Sequence, residues 1–441
     1  MNRVLRNSAW LLVERAIKVL LGIVVGLLVA RHLGPEEYGR YSYVYAVTAF
    51  YAVLCSLGLD GIIVRELSLR TRAVGAVLGS ALALQALGAA IILLAILVLA
   101  SIGILADNVL SVPWLWAAFV IPFLPAAVMR CYNEANTNSR LSVIAASISA
   151  IFVGILKLLA VLSGATLSIF VYLIILEFAV TSALLVSFYL KRSLGGKINL
   201  TVDSTVIKSL LKDGWPAFIA GICVFMSMKV DLLMIPFLSN ERELGVYAAA
   251  ATLSELWVFL PTIIVGSAFP TISRLSAASS MQGRKGWIAL YSVVIWLAIV
   301  CTTLLFLFAE QVVLTLFGDD YASAVICLQI HAFSGISIAI GLVWSRWLLL
   351  ENRLQVVLIA QVFSAFLNVL LNYLWIPDSG AAGAAWATLV SYSLSTAIAI
   401  LLYRRGTTLE YLYESLKVYE LGAHLHFIFR SRAPLSNASK Q

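Results

Sequence analysis

Charged residues are scarce in this chain of 441 residues, making up 12% of the sequence, whereas 62% of it is hydrophobic. A soluble domain has roughly a quarter charged residues and about half apolar ones. The low charge, together with apolar runs of roughly 20 residues or more, excludes a soluble globular protein. The runs also lack the period of two that is typical of membrane β-barrels. We therefore predict an all-α polytopic membrane protein.

Cysteine and the motifs of soluble enzymes are also sparse or missing. The five cysteines are scattered, mostly within apolar runs, so we predict no disulfide framework and no metal site. The sequence has no GxxxxGK[ST] phosphate-binding loop, no dinucleotide-binding glycine fingerprint and no HExxH motif. We therefore expect no catalytic residues and no bound cofactor.

About twelve apolar runs are long enough to cross the membrane as helices. The first run contains charged residues and is followed by no small-residue cleavage site, so we expect it to be a retained span. The predicted spans are 9–30, 41–61, 76–103, 112–131, 141–162, 166–190, 214–238, 246–269, 287–309, 322–350, 354–376 and 381–403.

The distribution of basic residues predicts the orientation of these spans. With the N-terminus in the cytoplasm, 23 of the 30 lysines and arginines lie on the cytoplasmic side and 3 on the opposite side. Positive charge concentrates on the cytoplasmic side of membrane proteins, so both termini are expected there. The same placement explains the net charge of +8 without nucleic acid as a partner.

The chain contains an internal repeat. Leu27–Tyr41 and Leu232–Tyr247, about 206 residues apart, each close an apolar run, pass an acidic stretch and re-enter on Gly-x-Tyr. Each half has six spans and begins in the cytoplasm, so the repeats are parallel. We predict an N-terminal six-helix lobe (1–192), a cytoplasmic linker (193–213), a C-terminal six-helix lobe (214–405) and a cytoplasmic tail (406–441).

The tail has its own pattern. Leu409, Leu412, Leu416 and Tyr419 recur at helical spacing beside charged residues. Such a pattern is typical of an amphipathic helix at a membrane surface, predicted here over residues 407–429.

Charged residues inside spans each cost roughly 2.5–3.5 kcal/mol on insertion scales, which makes them candidates for function. In the first span, Arg15 and Lys18 belong to a polar stripe confined to its cytoplasmic half. This stripe either faces a water-filled cavity and binds substrate there, or consists of side chains that extend to the cytoplasmic interface, with Glu14 pairing with Lys18.

Five charged residues in other spans are further candidates. Lys157 and Lys229 either line the same cavity as substrate-binding cations or extend to the outer interface. Glu177 and Glu255 lie near the middle of their spans and are candidates for ion coupling or for buried structural ion pairs. Asp231 either lines the cavity, where it is a third coupling candidate, or caps the outer end of its helix.

Six segments of the chain resemble the Wzx-type polysaccharide flippases of the multidrug/oligosaccharidyl-lipid/polysaccharide exporter superfamily. They occur in the right order from the first span to the last and extend over most of the chain. They are ARHLGPEEYGRYSYVYA (30–46), SLGLDGIIVREL (56–67), VDLLMIPFLSNERELGVYAAA (230–250), FPTISRL (269–275), LFGDDYASAVICLQI (316–330) and NVLLNYLWIPDSGAAGAAWATLVSY (368–392).

The resemblance implies two six-helix lobes in a V, with the first and seventh helices facing a central cavity. It implies a flippase in a prokaryotic cytoplasmic membrane that exports polyprenyl-pyrophosphate-linked repeat units for O-antigen, capsule or exopolysaccharide. Membrane lipids, H⁺ or Na⁺ as coupling ion, and polysaccharide polymerases are the expected partners. The family has no universal catalytic signature, so no site residue follows from it.

Two alternatives remain open. An ion-coupled small-molecule or multidrug antiporter of the same superfamily would favour an acidic, aromatic cavity over buried lysine and arginine. A membrane glycan polymerase or glycosyltransferase would need sizeable outer loops for its catalytic groups, whereas the longest outer connection predicted here is about twelve residues (310–321).

Overall fold

The computed structural model describes residues 3–70, 72–102, 111–193, 199–403 and 405–417, together with 421, 422 and 424. Within them the chain forms sixteen α-helices and three short 3-10 turns, and no β-strand. The predicted all-α fold class is confirmed. The helices are α1 (Arg3–Ser56), α2 (Asp60–Leu69), α3 (Val74–Ser101), α4 (Ser111–Ala118), α5 (Ala127–Ala135), α6 (Arg140–Leu162), α7 (Leu167–Ser193), α8 (Ser204–Leu238), α9 (Glu241–Glu255), α10 (Phe259–Ala278), α11 (Ser280–Leu307), α12 (Ala309–Leu316), α13 (Ala324–Ala332), α14 (Ser334–Leu350), α15 (Leu354–Leu402) and α16 (Arg405–Ser415).

Nine helical segments of the described chain are long and apolar enough to cross a membrane, and a tenth is formed if the bent pair of α1 and α2 is included. Two of the ten contain a break between two predicted spans: α1 at Gly34 and α15 at Gly380. Helical segments therefore cover all twelve predicted spans, six in each half of the chain.

The chain reverses direction within α15. Gly380 adopts φ 53° and ψ −130°, a conformation that favours glycine. Asn368 Nδ2 donates a hydrogen bond to Ser391 Oγ at 3.2 Å, and Ser395 Oγ donates to the Ala360 carbonyl at 2.8 Å. These contacts pair residues before the turn with residues after it in opposite order. The two halves of α15 are therefore antiparallel spans joined by a tight turn.

The break in α1 has a similar origin. Gly34 has φ 71° and ψ 172°, outside the helical region. Pro35 follows, and its missing N–H and fixed φ suit the first position of a new helix. The Gly-Pro-Glu-Glu segment is thus the predicted turn between the first two spans.

The described residues form two compact units, one of residues 1–248 and 316–320, the other of 249–315 and 321–441. The predicted lobes divide the chain differently, because they place 214–248 in the second half. In the structure α8 belongs to the first unit. Val206 and Leu210 of α8 are buried in the same apolar core as Ile63 of α2 and Leu78 of α3.

The segment before α8 is also shorter than the predicted linker of residues 193–213. α8 begins at Ser204, where the Asp203 side chain accepts a hydrogen bond from the Thr205 amide and caps the helix. Upstream, the Thr201 amide donates to the Gly75 carbonyl at 3.2 Å, so this segment packs on α3. Side-chain capping explains why the helix starts well before the apolar run does.

The second unit has an aromatic core and contains two groups of buried polar residues. Trp257, Tyr291 and Trp344 are buried in the core of this unit. His331 Nδ1 lies 2.6 Å from Ser254 Oγ, with both residues buried. Asn368 and Asn372, hydrogen-bonded to each other at 3.0 Å, form the second group, which ties the two halves of α15 together.

Candidate transport site

Lys157 of α6 and Glu177 of α7 form an ion pair within the first unit. The Nζ atom of Lys157 lies 3.4 Å from Oε2 of Glu177, and the two side chains are 11% and 31% exposed. A hydrogen bond of 2.8 Å from Ser149 Oγ to the Glu177 carbonyl links the same two helices. Lys157 was predicted to bind substrate and Glu177 to take part in ion coupling. The structure makes these two residues partners in one ion pair.

Two tyrosines from the second half of α1 lie beside this pair. Tyr41 and Tyr45 are both near enough to Lys157 for electrostatic interaction, and Tyr45 is also near Glu177. The Tyr45 side chain is 55% exposed, whereas Lys157 is nearly buried. The cluster therefore combines a cation, a partly exposed carboxylate and two phenols.

Asp231 of α8 is fully buried and is held by Tyr247 of α9. The Tyr247 hydroxyl donates a hydrogen bond to Oδ2 of Asp231, and both side chains are at most 2% exposed. A buried carboxylate is costly unless it accepts hydrogen bonds, so Tyr247 stabilises Asp231 in place. Of the two predicted roles, a helix cap is not observed, since Asp231 lies inside α8.

Tyr41 and Tyr247 are equivalent residues of the sequence repeat, each following a Gly-x pair. Each contacts an ionisable group of the first unit, Lys157 in one case and Asp231 in the other. Each copy of the repeat thus has a tyrosine at the same position. This tyrosine lies beside a cation in the first copy and beside a carboxylate in the second.

Two further predicted residues lie on α8 and α9. Lys229 lies on α8 and is half-buried, while Asp231 two residues later is fully buried. Glu255 is the last residue of α9, at the junction with the 3-10 turn Leu256–Val258. The side chains of Arg15 and Lys18, on the first half of α1, lie outside the described residues.

Equivalent segments of the repeat contact each other, which was not predicted from the sequence. Arg40 is bonded through Nε to Glu241, and its guanidinium also reaches Glu36 at 3.0 Å. Next to this pair, Gly39 and Gly245 lie backbone against backbone. The repeat itself contained the signal, because residues that match between two copies are candidates for contact about a pseudo-twofold axis.

A second contact, between segments that are not equivalent in the repeat, joins α2 to the first third of α8. Arg65 pairs with Asp213 and, at 3.0 Å, with Glu66. The hydrogen bonds to Asp213 and Glu66 raise the pKa of Arg65 above its ordinary value. The turn at Gly58, with φ 68°, packs directly on Gly214, so the first third of α8 contacts the turn between α1 and α2.

Comparison with known proteins identifies the family and the fold. Residues 4–276 match the family described as polysaccharide biosynthesis protein. Over 170 residues the chain is 23% identical to the probable low-salt glycan biosynthesis flippase Agl15 of Haloferax volcanii. That alignment covers 38% of this chain and 36% of the length of Agl15.

Solved structures match over nearly the whole chain. An inward-facing multidrug resistance MATE family transporter of the MOP superfamily aligns with TM-score 0.70 and 14% identity, over 89% of this chain and 95% of that one. The lipid II flippase MurJ, in an inward closed conformation, aligns with TM-score 0.68 and 13% identity over 97% of each chain. A MOP superfamily transporter from Pyrococcus furiosus gives 0.62 and 15%, over 92% of this chain and 95% of that one.

These matches confirm the resemblance noted from the sequence segments. The family match begins in the first helix and extends into α10, well over half of the chain. The protein belongs to the polysaccharide biosynthesis protein family and has the fold of the MOP superfamily transporters.

Proposed function

We propose that the protein is a flippase that moves polyprenyl-pyrophosphate-linked oligosaccharide repeat units from the cytoplasmic to the outer leaflet. One observation carries this proposal: a polysaccharide biosynthesis family match lies on a fold shared with MOP transporters. The product would enter O-antigen, capsule or exopolysaccharide synthesis. The protein would act in a prokaryotic cytoplasmic membrane with both termini in the cytoplasm, and pass its cargo to a polysaccharide polymerase.

The physical problem is the headgroup of such a lipid. Its pyrophosphate is charged and its sugars carry many hydroxyl groups, so passage through hydrocarbon without polar partners is prohibitive. The polyprenyl tail, in contrast, is stable in the bilayer throughout. A transporter therefore needs a polar path for the headgroup alone, which alternating access by two six-helix halves provides.

Arg15, Lys18, Lys157 and Lys229 are the proposed contacts for the pyrophosphate. Lys157 supplies the best-defined case, because its ammonium is balanced by Glu177 at 3.4 Å. An arriving pyrophosphate would compete with the Glu177 carboxylate for this ammonium and, with its greater charge, would displace it. The nearby Tyr41 and Tyr45 would offer hydroxyl groups and ring faces to the first sugar.

The same exchange suggests how transport is coupled to an ion gradient. A Glu177 carboxylate that loses Lys157 gains affinity for a proton or Na⁺, because a nearby cation favours the charged form. Asp231, held by Tyr247, and Glu255 are the other coupling candidates. Each would bind its ion in one orientation of the transport cycle and release it in the other.

The proposal is tested with lipid-linked oligosaccharide flipping in membrane vesicles and with surface glycan in cells. Arg15→Ala combined with Lys18→Ala, and Lys157→Ala alone, are expected to lower both at matched protein levels. Lys157→Arg, which keeps the charge, is the matched control and should retain more activity than Lys157→Ala. Unchanged flipping in the Arg15→Ala, Lys18→Ala protein would contradict the cationic path.

A multidrug antiporter is the second candidate, since a MATE family transporter is among the solved structures that match this fold. Deletion of the gene distinguishes the two functions. We expect loss of surface polysaccharide with unchanged drug resistance, and the reverse result would favour the antiporter. We do not expect glycan polymerase or glycosyltransferase activity in purified protein.

A further inference from the structure

The short helix α16 packs on the second unit through one of its faces. Thr408, Tyr411 and Ser415 recur at helical spacing and are buried. The Tyr411 ring lies 5.5 Å from the ring of Trp347, measured between centroids. Arg284, near the start of α11, pairs with Glu410 of α16. The helix is therefore anchored to the rest of the protein.

A second face of α16 is apolar and exposed. Leu409, Tyr413 and Leu416, the last just beyond the helix end, are 46%, 68% and 48% exposed. At 100° per residue these three positions fall within an arc of about 60°, centred roughly 140° from the buried face. Three large apolar side chains on one exposed stripe are unfavourable in water. Such a stripe usually marks a surface that contacts another apolar partner.

The third face of α16 is acidic. Glu410 and Glu414 lie on it, and Glu414 pairs with Lys417 at 2.6 Å. The helix thus presents one face to the protein, one apolar face and one charged face. A helix that lies beside a membrane protein, at the boundary between lipid and water, also has three surroundings at about equal angles: protein, lipid and water.

The position of α16 along the chain agrees with this location. α15 ends at Leu402 and α16 begins at Arg405, so only two residues lie between the helices, and their ends are at most roughly 10 Å apart along the chain. Leu401 and Leu402 are themselves exposed, as expected of residues that face lipid. The apolar stripe of α16 therefore follows closely along the chain on exposed leucines at the end of the last span.

We propose that α16 lies on the cytoplasmic surface of the bilayer, with Leu409, Tyr413 and Leu416 inserted between lipid headgroups. Two arginines lie at the same end of the second unit, Arg284 paired with Glu410 and Arg353 next to the end of α15. Arg353 lies over the Tyr403 ring at 5.9 Å. Such cations attract the phosphates of the lipid headgroups and hold the helix at this depth. The partner of this face is the lipid surface itself.

Nitroxide labels on single cysteines test this placement in the full-length protein, with its five native cysteines replaced by alanine. Labels replace Leu409, Tyr413 or Leu416 in turn, and the protein is reconstituted into vesicles of phosphatidylethanolamine and phosphatidylglycerol. A label at Glu410, on the acidic face, is the control. All four side chains are exposed, but the control label also removes the ion pair between Glu410 and Arg284, so equal thermal midpoints of the four labelled proteins are required to show that α16 stays packed.

The measurement is the accessibility of each label to oxygen, which concentrates in lipid, relative to a water-soluble nickel chelate. We expect the ratio to shift towards oxygen at 409, 413 and 416 compared with 410. Equal ratios at all four positions would show that the stripe faces water and would overturn the proposal. Low accessibility to both reagents at the three apolar positions would overturn it too, because protein, not lipid, would then cover the stripe.

Discussion

Gly39 and Gly245 occupy the same position in the two copies of the sequence repeat, and in the structure their backbones pack against each other. A Cβ atom on Gly39 would lie 2.9 Å from the Gly245 nitrogen and would overlap the Glu241 carbonyl. A Cβ atom on Gly245 would lie 3.1 Å from the Gly39 nitrogen and would overlap the Pro35 carbonyl. The contact is reciprocal, as expected of equivalent segments meeting about a twofold axis.

Alanine at either glycine should weaken this contact. Overpacking of a close approach typically costs about 1–3 kcal/mol, and here the obstructing atoms are backbone carbonyls that cannot rotate away. We expect Gly39→Ala and Gly245→Ala to lower the thermal midpoint of the purified protein. Gly26→Ala and Gly61→Ala are matched controls, because a Cβ atom at either position meets no atom within 4 Å. Equal midpoints in all four variants would contradict the contact.

The ion pair beside these glycines should show measurable coupling. The Arg40 side chain is 34% exposed and that of Glu241 16%, so water screens the pair only in part. A double-mutant cycle of Arg40→Ala and Glu241→Ala should give a coupling free energy of about 1 kcal/mol, at the upper end for exposed pairs. The cycle is measured from thermal unfolding at low and high salt, and additive effects would show that the pair does not stabilise the protein.

Neutral substitutions separate stability from transport at Lys157 and Glu177. Removing one partner leaves a charge uncompensated, so we expect Lys157→Met or Glu177→Gln alone to cost about 1–3 kcal/mol. The double variant should regain most of that stability, because neither charge remains. Under the proposed function it should still fail to flip lipid-linked oligosaccharide. Recovery of both properties in the double variant would mean that the pair is only structural.

Asp231 and Tyr247 test ion coupling. If Asp231 carries the coupling ion, Asp231→Asn should abolish the dependence of transport on an imposed pH or Na⁺ gradient. Tyr247→Phe removes only the hydrogen bond to the carboxylate and should leave a gradient dependence with a changed pH profile. The measurement is flipping in vesicles with and without each gradient. An unaltered gradient response in Asp231→Asn would assign coupling to another residue.

The cap of α8 should depend on pH. Hydrogen bonds from the Thr205 hydroxyl and amide to Asp203 lower the pKa of its carboxyl below the ordinary 3.8. A lowered folded-state pKa means that the stabilisation is present above this value and is lost as the pH falls below it. We expect faster hydrogen exchange in the first turn of α8 in acid. Asp203→Asn, which still caps but does not titrate, should show a smaller change, and equal responses would contradict the cap.

Much of the fold follows from local properties of the sequence. The spans were predictable because crossing the hydrocarbon requires about twenty apolar residues in a helix, whatever the neighbouring helices are. The turn at Gly34-Pro35 was predictable because glycine and proline restrict the backbone locally. The start of α8 at Ser204 was not predicted, since Asp203 caps a helix that extends beyond the apolar span into a polar segment.

The candidate site depends on contacts between distant residues. The sequence by itself determined which charged residues lie inside spans, because the cost of burying a charge makes each one stand out. Only the tertiary structure decided that Lys157 and Glu177 form one pair, that Tyr247 holds Asp231, and that α8 packs with the first helices. The physical reason is that periodicity specifies the face of a helix but not the helix that faces it.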